Sequence, residues 1–282
     1  MPSPPVDFGY LRSVVLEESG NVLDPSRDYL FRSRLQSLLQ TTGLKSLDRL
    51  VAVLREKPQT ALRQAVTEAM TVKETSFFRD RSPFDLLQSE LLPALIRRRE
   101  SGRSLRLWSA ACSSGQEAYS LAMLLREHFP QVSGWQIEII ATDLSRNMIE
   151  RALTGRYQRR EVSRGLPARY RTRYMRQRGE EWEVAPEVRR MCRFHPRNLC
   201  DLPLSPPLSL EQYDGILLRN LLMYFSDETR RKLLLGVHRM LAPDGFLLLG
   251  SSEQPGLPAH FQAVLEGNAC YYRPLPSPES AA

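Results

Sequence analysis

Cysteine is scarce in this 282-residue chain, and Cys112, Cys192, Cys200 and Cys270 form no C-x-x-C pair. The histidines His128, His195, His238 and His260 are equally scattered, so neither a disulfide framework nor a zinc site is indicated and no metal is expected. No apolar run approaches the roughly 18 to 20 residues a membrane span needs, and the N-terminus, MPSPPVDFGYLRS, lacks a basic stretch leading into an apolar one. The reading is a soluble, unexported, cytoplasmic protein with no membrane insertion. Lysine is nearly missing too: four residues, so that 35 of the 39 cationic side chains are arginine. The net charge of +7 is local, because residues 151–200 hold 14 Arg against 5 Asp plus Glu. A basic face toward an acidic partner is one reading, and a solvated arginine-rich surface is the blander and better one on charge alone. What remains is an ordinary globular composition, 42% hydrophobic and 25% charged. The length accommodates a large and a small domain, each able to bury a core.

Residues 1–73 read as helix after helix. Phe31, Leu35, Leu38 and Leu39 predict one amphipathic helix over 28–40, and Ala61, Leu62, Ala65, Val66, Ala69 and Met70 predict another, with turn signals at Thr42-Gly43 and Lys57-Pro58 between them. From about residue 104 short apolar runs (105–108, 137–141, 215–218, 246–249) alternate with helical patterns (117–129, 145–153, 227–241), which argues for a parallel, doubly wound α/β sheet. Residues 156–195 break the alternation. They predict an inserted small β subdomain, with short strands at 183–184 and 191–194. The tail, 274–282, is rich in Pro and Ser and is expected to be disordered. The domains expected are therefore a helical one over 1–74 and an α/β one over 75–282.

Strand one runs into Ser109-Ala110-Ala111-Cys112-Ser113-Ser114-Gly115, a loop of small residues at the strand end where doubly wound sheets bind ligands. It is not the G-x-G-x-x-G fingerprint: one glycine in seven residues provides little for a pyrophosphate, and Glu117 would repel it. The second strand ends in Asp143, where such folds place an acid to accept from ribose hydroxyls. Ribose without pyrophosphate, with a second carboxylate to meet an ammonium group, fits S-adenosylmethionine better than NAD or ATP. Singly, Glu117 reads as a first-turn acid and Asp143 as a helix N-cap; together at two strand ends they favour the cofactor.

With these residues assembled, the chain resembles the chemotaxis receptor methyltransferases, the CheR-type family. Five segments carry the resemblance over nearly the whole chain: 73–79 (KETSFFR), 108–120 (WSAACSSGQEAYS), 141–144 (ATDL), 218–225 (LRNLLMYF) and 250–253 (GSSE). It implies a Rossmann-like S-adenosylmethionine-dependent methyltransferase sheet with a small N-terminal all-α domain that recognises receptors. It also implies methyl transfer to receptor glutamates for sensory adaptation, with S-adenosylhomocysteine as product. By the resemblance, Lys73, Thr75, Arg79, Glu117, Asp143, Asn198, Leu199, Leu218 and Arg219 bind the cofactor. Arg79, Arg219 and Tyr224 line the transfer site. Lys73 stands where the family has Asn, and Ala111, Gln116, Leu218 and Ser251 replace Gly, Glu, Cys and His.

The implied chemistry is an in-line displacement by a carboxylate already ionised at neutral pH, so the protein has to align it rather than deprotonate it. Arg27 and Arg34, seven residues apart beside the apolar stripe of the first domain, are candidates to meet the acidic surface of a receptor's cytoplasmic helical bundle. Family members that tether to a C-terminal receptor peptide use a hairpin loop with paired glycines. Here the stretch 174–182 is short and has Gly179 alone, so tethering is not expected. Nucleic acid is not expected as a partner, because no base-stacking aromatic platform accompanies the motifs. A nucleic-acid methyltransferase and a non-catalytic cofactor-binding scaffold are the rival readings.

Overall fold

The computed structural model describes residues 6–57, 61–202 and 212–276, and the chain divides into two compact units, 1–72 with 224–230 and 73–223 with 231–282. The first unit is built from helices Phe8–Ser19, Tyr29–Arg34, Gln36–Thr42, Leu47–Glu56 and Ala61–Met70. Local chemistry sets their ends: the side chains of Asp7 and Ser46 accept from the N–H groups of Tyr10 and Arg49, and Gly20 and Gly43 close helices in the left-handed conformation. Leu11, Val15, Phe31, Leu35, Leu50, Leu54 and Val66 fill the core between them, each fully buried side chain contributing on the order of 1.5 to 3 kcal/mol. The single helix predicted over 28–40 is two. The ladder is interrupted at Leu35 (φ −85°, ψ −4°), which remains fully buried with Phe31. Pro58, part of a predicted turn, lies outside the described residues. The segment 224–230 joins this unit through the Val22 N–H to Tyr224 carbonyl bond of 2.8 Å and an antiparallel bridge between Asn21 and Phe225.

Among its described residues the second unit holds ten strands: β1 Ser104–Ala110, β2 Gln136–Asp143, β3 Arg156–Gln158, β4 Met175–Arg178, β5 Glu181–Val184, β6 Cys192–Pro196, β7 Tyr213–Leu218, β8 Leu241–Leu249, β9 Phe261–Glu266 and β10 Ala269–Pro274. Seven form one sheet in the order β6-β2-β1-β7-β8-β10-β9, the first five parallel, with β10 antiparallel to its neighbours β8 and β9. The order reverses between β1 and β7, so the ligand crevice of such a sheet lies at the carboxyl ends of those strands. Helices Gln116–His128, Arg146–Thr154 and Asp227–Met240 occupy the predicted positions. In β7 every residue is buried and in β1 the last four are, as strands covered on both faces require.

Two expectations need correction. The strand predicted at 191–194 within the insert is β6, an edge of the main sheet in register with β2 from Ile139↔Cys192 to Asp143↔Pro196. It joins because Cys192 and Phe194 alternate inward, Phe194 packing edge-on against Tyr119 at 5.2 Å. The small sheet, β3-β5-β4, is thereby confined to 156–184. The tail expected to be disordered from 274 begins ordered: Pro274 ends β10, and Leu275 donates to the His260 carbonyl at 2.7 Å and lies 2.8 Å from His238 Nε2 through its own carbonyl. Residues 277–282 lie outside the described residues.

Candidate functional site

The loop after β1 is shaped by backbone that L-residues seldom adopt, with φ of +61° at Ala111, +48° at Ser113 and +91° at Gly115. Only Gly fits the last position, because a Cβ there would stand 2.8 Å from the Ala152 Cβ and 3.0 Å from the Phe194 ring. Ala111, which takes the place of a family Gly, carries the left-handed strain itself. The N–H of Ser113 donates to Asp143 Oδ2 at 2.8 Å and that of Gly115 to the Cys112 carbonyl at 3.0 Å. These amides, the kind a pyrophosphate would draw on, are already engaged.

Asp143 ends β2, and its other oxygen accepts from the Ser145 N–H at 2.9 Å. The side chain that caps helix Arg146–Thr154 is Ser145, accepting from Met148, so Asp143 is not the cap. Glu117 lies in the first turn of helix Gln116–His128, with Oε1 accepting from the Ser109 hydroxyl at 2.7 Å and Oε2 held by Arg219 at 2.9 Å. Arg219 follows β7, and its side chain is 1% exposed. Its NH2 donates to the Arg79 carbonyl at 2.8 Å and to Asp80 Oδ2 at 3.0 Å, and its Nε–H is buried with no partner among the described residues.

The segment 73–80 is fixed alongside. Ser113 Oγ donates to the Lys73 carbonyl at 2.9 Å, Phe78 N–H to Ser120 Oγ at 3.0 Å, and Arg79 NH1 to the Glu74 carbonyl at 3.0 Å, while Phe77 packs edge-on against Tyr157. Leu218 is buried at the end of β7. Asn198 and Leu199 follow β6, where the Arg197 N–H meets the Asp143 carbonyl at 2.9 Å; the Asn198 side chain accepts from the Cys200 N–H and Leu199 is buried. Burial first, and then the charges of Asp143 and Glu117, push the Cys112 thiol well above its ordinary range. Burial of this kind favours the neutral thiol over the nucleophilic thiolate.

The fold so brings Lys73, Arg79, Glu117, Asp143, Leu218 and Arg219 to neighbouring strand ends, with Thr75 half-buried on the same segment as Lys73. Tyr224 closes the short 3-10 turn Leu222–Tyr224 and belongs to the first unit, as do Arg27 and Arg34. Arg27 is exposed in a 3-10 turn, Pro25–Arg27, whereas Arg34 sits in the next helix and donates to the Met70 carbonyl at 2.7 Å, capping the end of helix Ala61–Met70. Asp80 and Ser109 were missed in the sequence. Each adjoins or lies within a quoted motif, and only the pairing across the fold gives it a role.

A family model described as "CheR methyltransferase, SAM binding domain" matches residues 73–267, and one described as "CheR methyltransferase, all-alpha domain" matches 6–71. The chain belongs to the CheR methyltransferase family. Among its relatives are chemotaxis protein methyltransferase Cher2 of Pseudomonas putida, 39% identical over 92% of this chain and 94% of that protein, and chemotaxis protein methyltransferase 1 of Pseudomonas aeruginosa, 40% identical over 95% and 97%. A chemotaxis protein methyltransferase of Vibrio parahaemolyticus is 38% identical over 88% and 89%. This CheR-family protein is an S-adenosylmethionine-dependent methyltransferase, and its donor set suits that ligand. Two carboxylates stand at adjoining strand ends, the loop amides are engaged, and the buried guanidinium between Glu117 and Asp80 keeps one N–H without a partner among the described residues.

Proposed function

We propose that this methyltransferase esterifies glutamate side chains on the cytoplasmic helical bundle of a chemoreceptor, for sensory adaptation. When bound, S-adenosylmethionine supplies an electrophilic methyl group on a sulfonium that leaves as a neutral thioether. The chain's own residues bind and align. Asp143 accepts from the ribose hydroxyls, Glu117 meets the ammonium group, Lys73, Thr75 and Leu218 complete the pocket around the methionine part, and Asn198 with Leu199 flanks the adenine. The observation that carries the reading is Arg219: its terminal nitrogens are committed to Glu117, Asp80 and the Arg79 carbonyl, and its Nε–H is buried and has no partner among the described residues. That N–H and the Arg79 guanidinium, whose bond to the Glu74 carbonyl is exposed, are suited to grip one oxygen of an acceptor carboxylate and leave the other to attack. Tyr224, carried over from the resemblance, adds a hydrogen bond to the acceptor. Because the acceptor is ionised at neutral pH, no general base is needed.

The first unit serves as the receptor-recognition domain, with the exposed Arg27 its better-placed cation, since Arg34 is tied to Met70. Receptor capture through a C-terminal peptide is not part of this reading. The β4–β5 hairpin turns through Gly179 and Glu180 alone, with Arg178 opposite Glu181, and Arg178 is paired with Glu183. The test is label transfer from tritiated S-adenosylmethionine into receptor-containing membranes. The expected product is a glutamyl ester that releases methanol in mild alkali, whereas alkali-stable label would overturn the reading in favour of nucleic acid or another side chain.

A further inference from the structure

The segment Gly250-Ser251-Ser252-Glu253 follows β8 and has no role in the proposed function, yet it holds a buried carboxylate that accepts from three backbone N–H groups. Glu253 is 8% exposed. Its Oε2 accepts from the N–H groups of Asn220 at 2.7 Å and Gly250 at 2.8 Å, and its Oε1 from that of Leu222 at 2.7 Å. Three backbone donors on one buried charge make a strong, directional anchor, because an ionised acceptor strengthens each bond and low dielectric raises the cost of losing any. Two of the donors lie one and three residues after Arg219. Asn220 is held at φ +56°, a conformation asparagine tolerates better than most side chains. Leu222, 2% exposed, opens the 3-10 turn Leu222–Tyr224. Gly250 is required from the other side, since a Cβ there would come 2.6 Å from Glu253 Oε2 and 3.0 Å from the Asn220 backbone nitrogen.

We propose that Glu253 is a positioning residue for methyl transfer. Its carboxylate fixes the backbone from Asn220 to Leu222, and so sets both the direction in which Arg219 enters the site and the start of the turn that ends in Tyr224. The proposal rests on the acceptor-handling roles given above to Arg219 and Tyr224.

Glu253→Gln separates the two ends of the clamp. The Gln carbonyl oxygen can keep the Asn220 and Gly250 donors, which leaves its NH2 facing the Leu222 N–H, donor against donor. Turnover on receptor-containing membranes is expected to fall at least ten-fold, with the affinity for S-adenosylhomocysteine, read by calorimetry, unchanged within three-fold. Amide exchange at Leu222 is expected to quicken at least ten-fold while exchange at Asn220 does not. Gly250→Ala pushes the carboxylate off its donors without altering its charge and is expected to lower turnover similarly. Because Gly250→Ala displaces the whole carboxylate, the Leu222 end included, the double variant should be no worse than Gly250→Ala alone. Unaltered turnover overturns the proposal, as does a parallel loss of turnover and product affinity, which is the mark of a merely structural role. The unaltered protein is run alongside: if it gives no alkali-labile label, the underlying functional reading fails, whereas full label from it and from Glu253→Gln defeats the clamp alone.

Discussion

Replacing Glu117 with Gln removes one of two carboxylates that hold a guanidinium whose side chain is 1% exposed. The Gln oxygen can keep the Ser109 hydroxyl, which leaves an NH2 group facing Arg219. Glu117 is itself 13% exposed and 2.9 Å from Arg219, whereas Asp80 is 35% exposed at 3.0 Å, so the two partners are not equivalent. Stripping one partner from a buried pair costs about 3 to 5 kcal/mol; because Asp80 and the Arg79 carbonyl remain, the lower end applies, about 3 kcal/mol, or roughly 6 to 12 °C in melting temperature for a domain of this size. Asp80→Asn, on the solvent side, is expected to cost only about 0 to 1 kcal/mol. S-adenosylhomocysteine at about 100 times its Kd should add about 2.7 kcal/mol to the unaltered protein, and Glu117→Gln should forfeit most of that gain because the ligand's ammonium loses its carboxylate. Thermal melts at pH 7, with and without S-adenosylhomocysteine, read both effects. Equal melting temperatures for Glu117→Gln and Asp80→Asn, or an undiminished ligand-induced shift in Glu117→Gln, would refute the reasoning.

Asp143→Ala strips the Ser113 and Ser145 amides of their acceptor together with the ribose contacts; calorimetry should show binding of S-adenosylhomocysteine weakened by about 1 to 3 kcal/mol, and unchanged affinity would move the pocket elsewhere. The strained loop gives a paired test by denaturant titration. Gly115→Ala should lose about 2 to 5 kcal/mol through its φ of +91° and its crowding against Ala152 and Phe194, while Ala111→Gly, relieving φ +61°, should gain up to about 1 kcal/mol. Deleting the last residues of the cognate receptor should leave its methylation rate unchanged, whereas Arg27→Glu should lower that rate and added salt should weaken association; a large fall on tail deletion would show that the short hairpin still seats a peptide.

The sequence by itself determined the elements whose signal is local. Helical periodicity over 61–70 and 227–241, the alternation of apolar runs with helices after residue 104, and the small-residue loop before Glu117 each depend on neighbours within a few turns of chain, and each was legible as such. The carboxylates at the ends of β1's loop and of β2 were legible for the same reason, because a strand end followed by a helix start fixes where a side chain must lie. Only the tertiary structure decided what is paired across distance. β6 joins the main sheet, not the insert, because Cys192 and Phe194 find their burial beside β2 and Tyr119, and a short alternating segment does not name its partner strand. The antiparallel pair β9 and β10 went unread because β9 is mostly exposed and carries no clear apolar face. Likewise the ion pair of Glu117 with Arg219, 102 residues apart, and the clamp of Glu253 on Asn220 and Leu222 are made by strands brought side by side. A motif states which residues are present; which charge neutralises which, and which N–H groups remain for a substrate, is settled only when burial forces every polar group to find a partner.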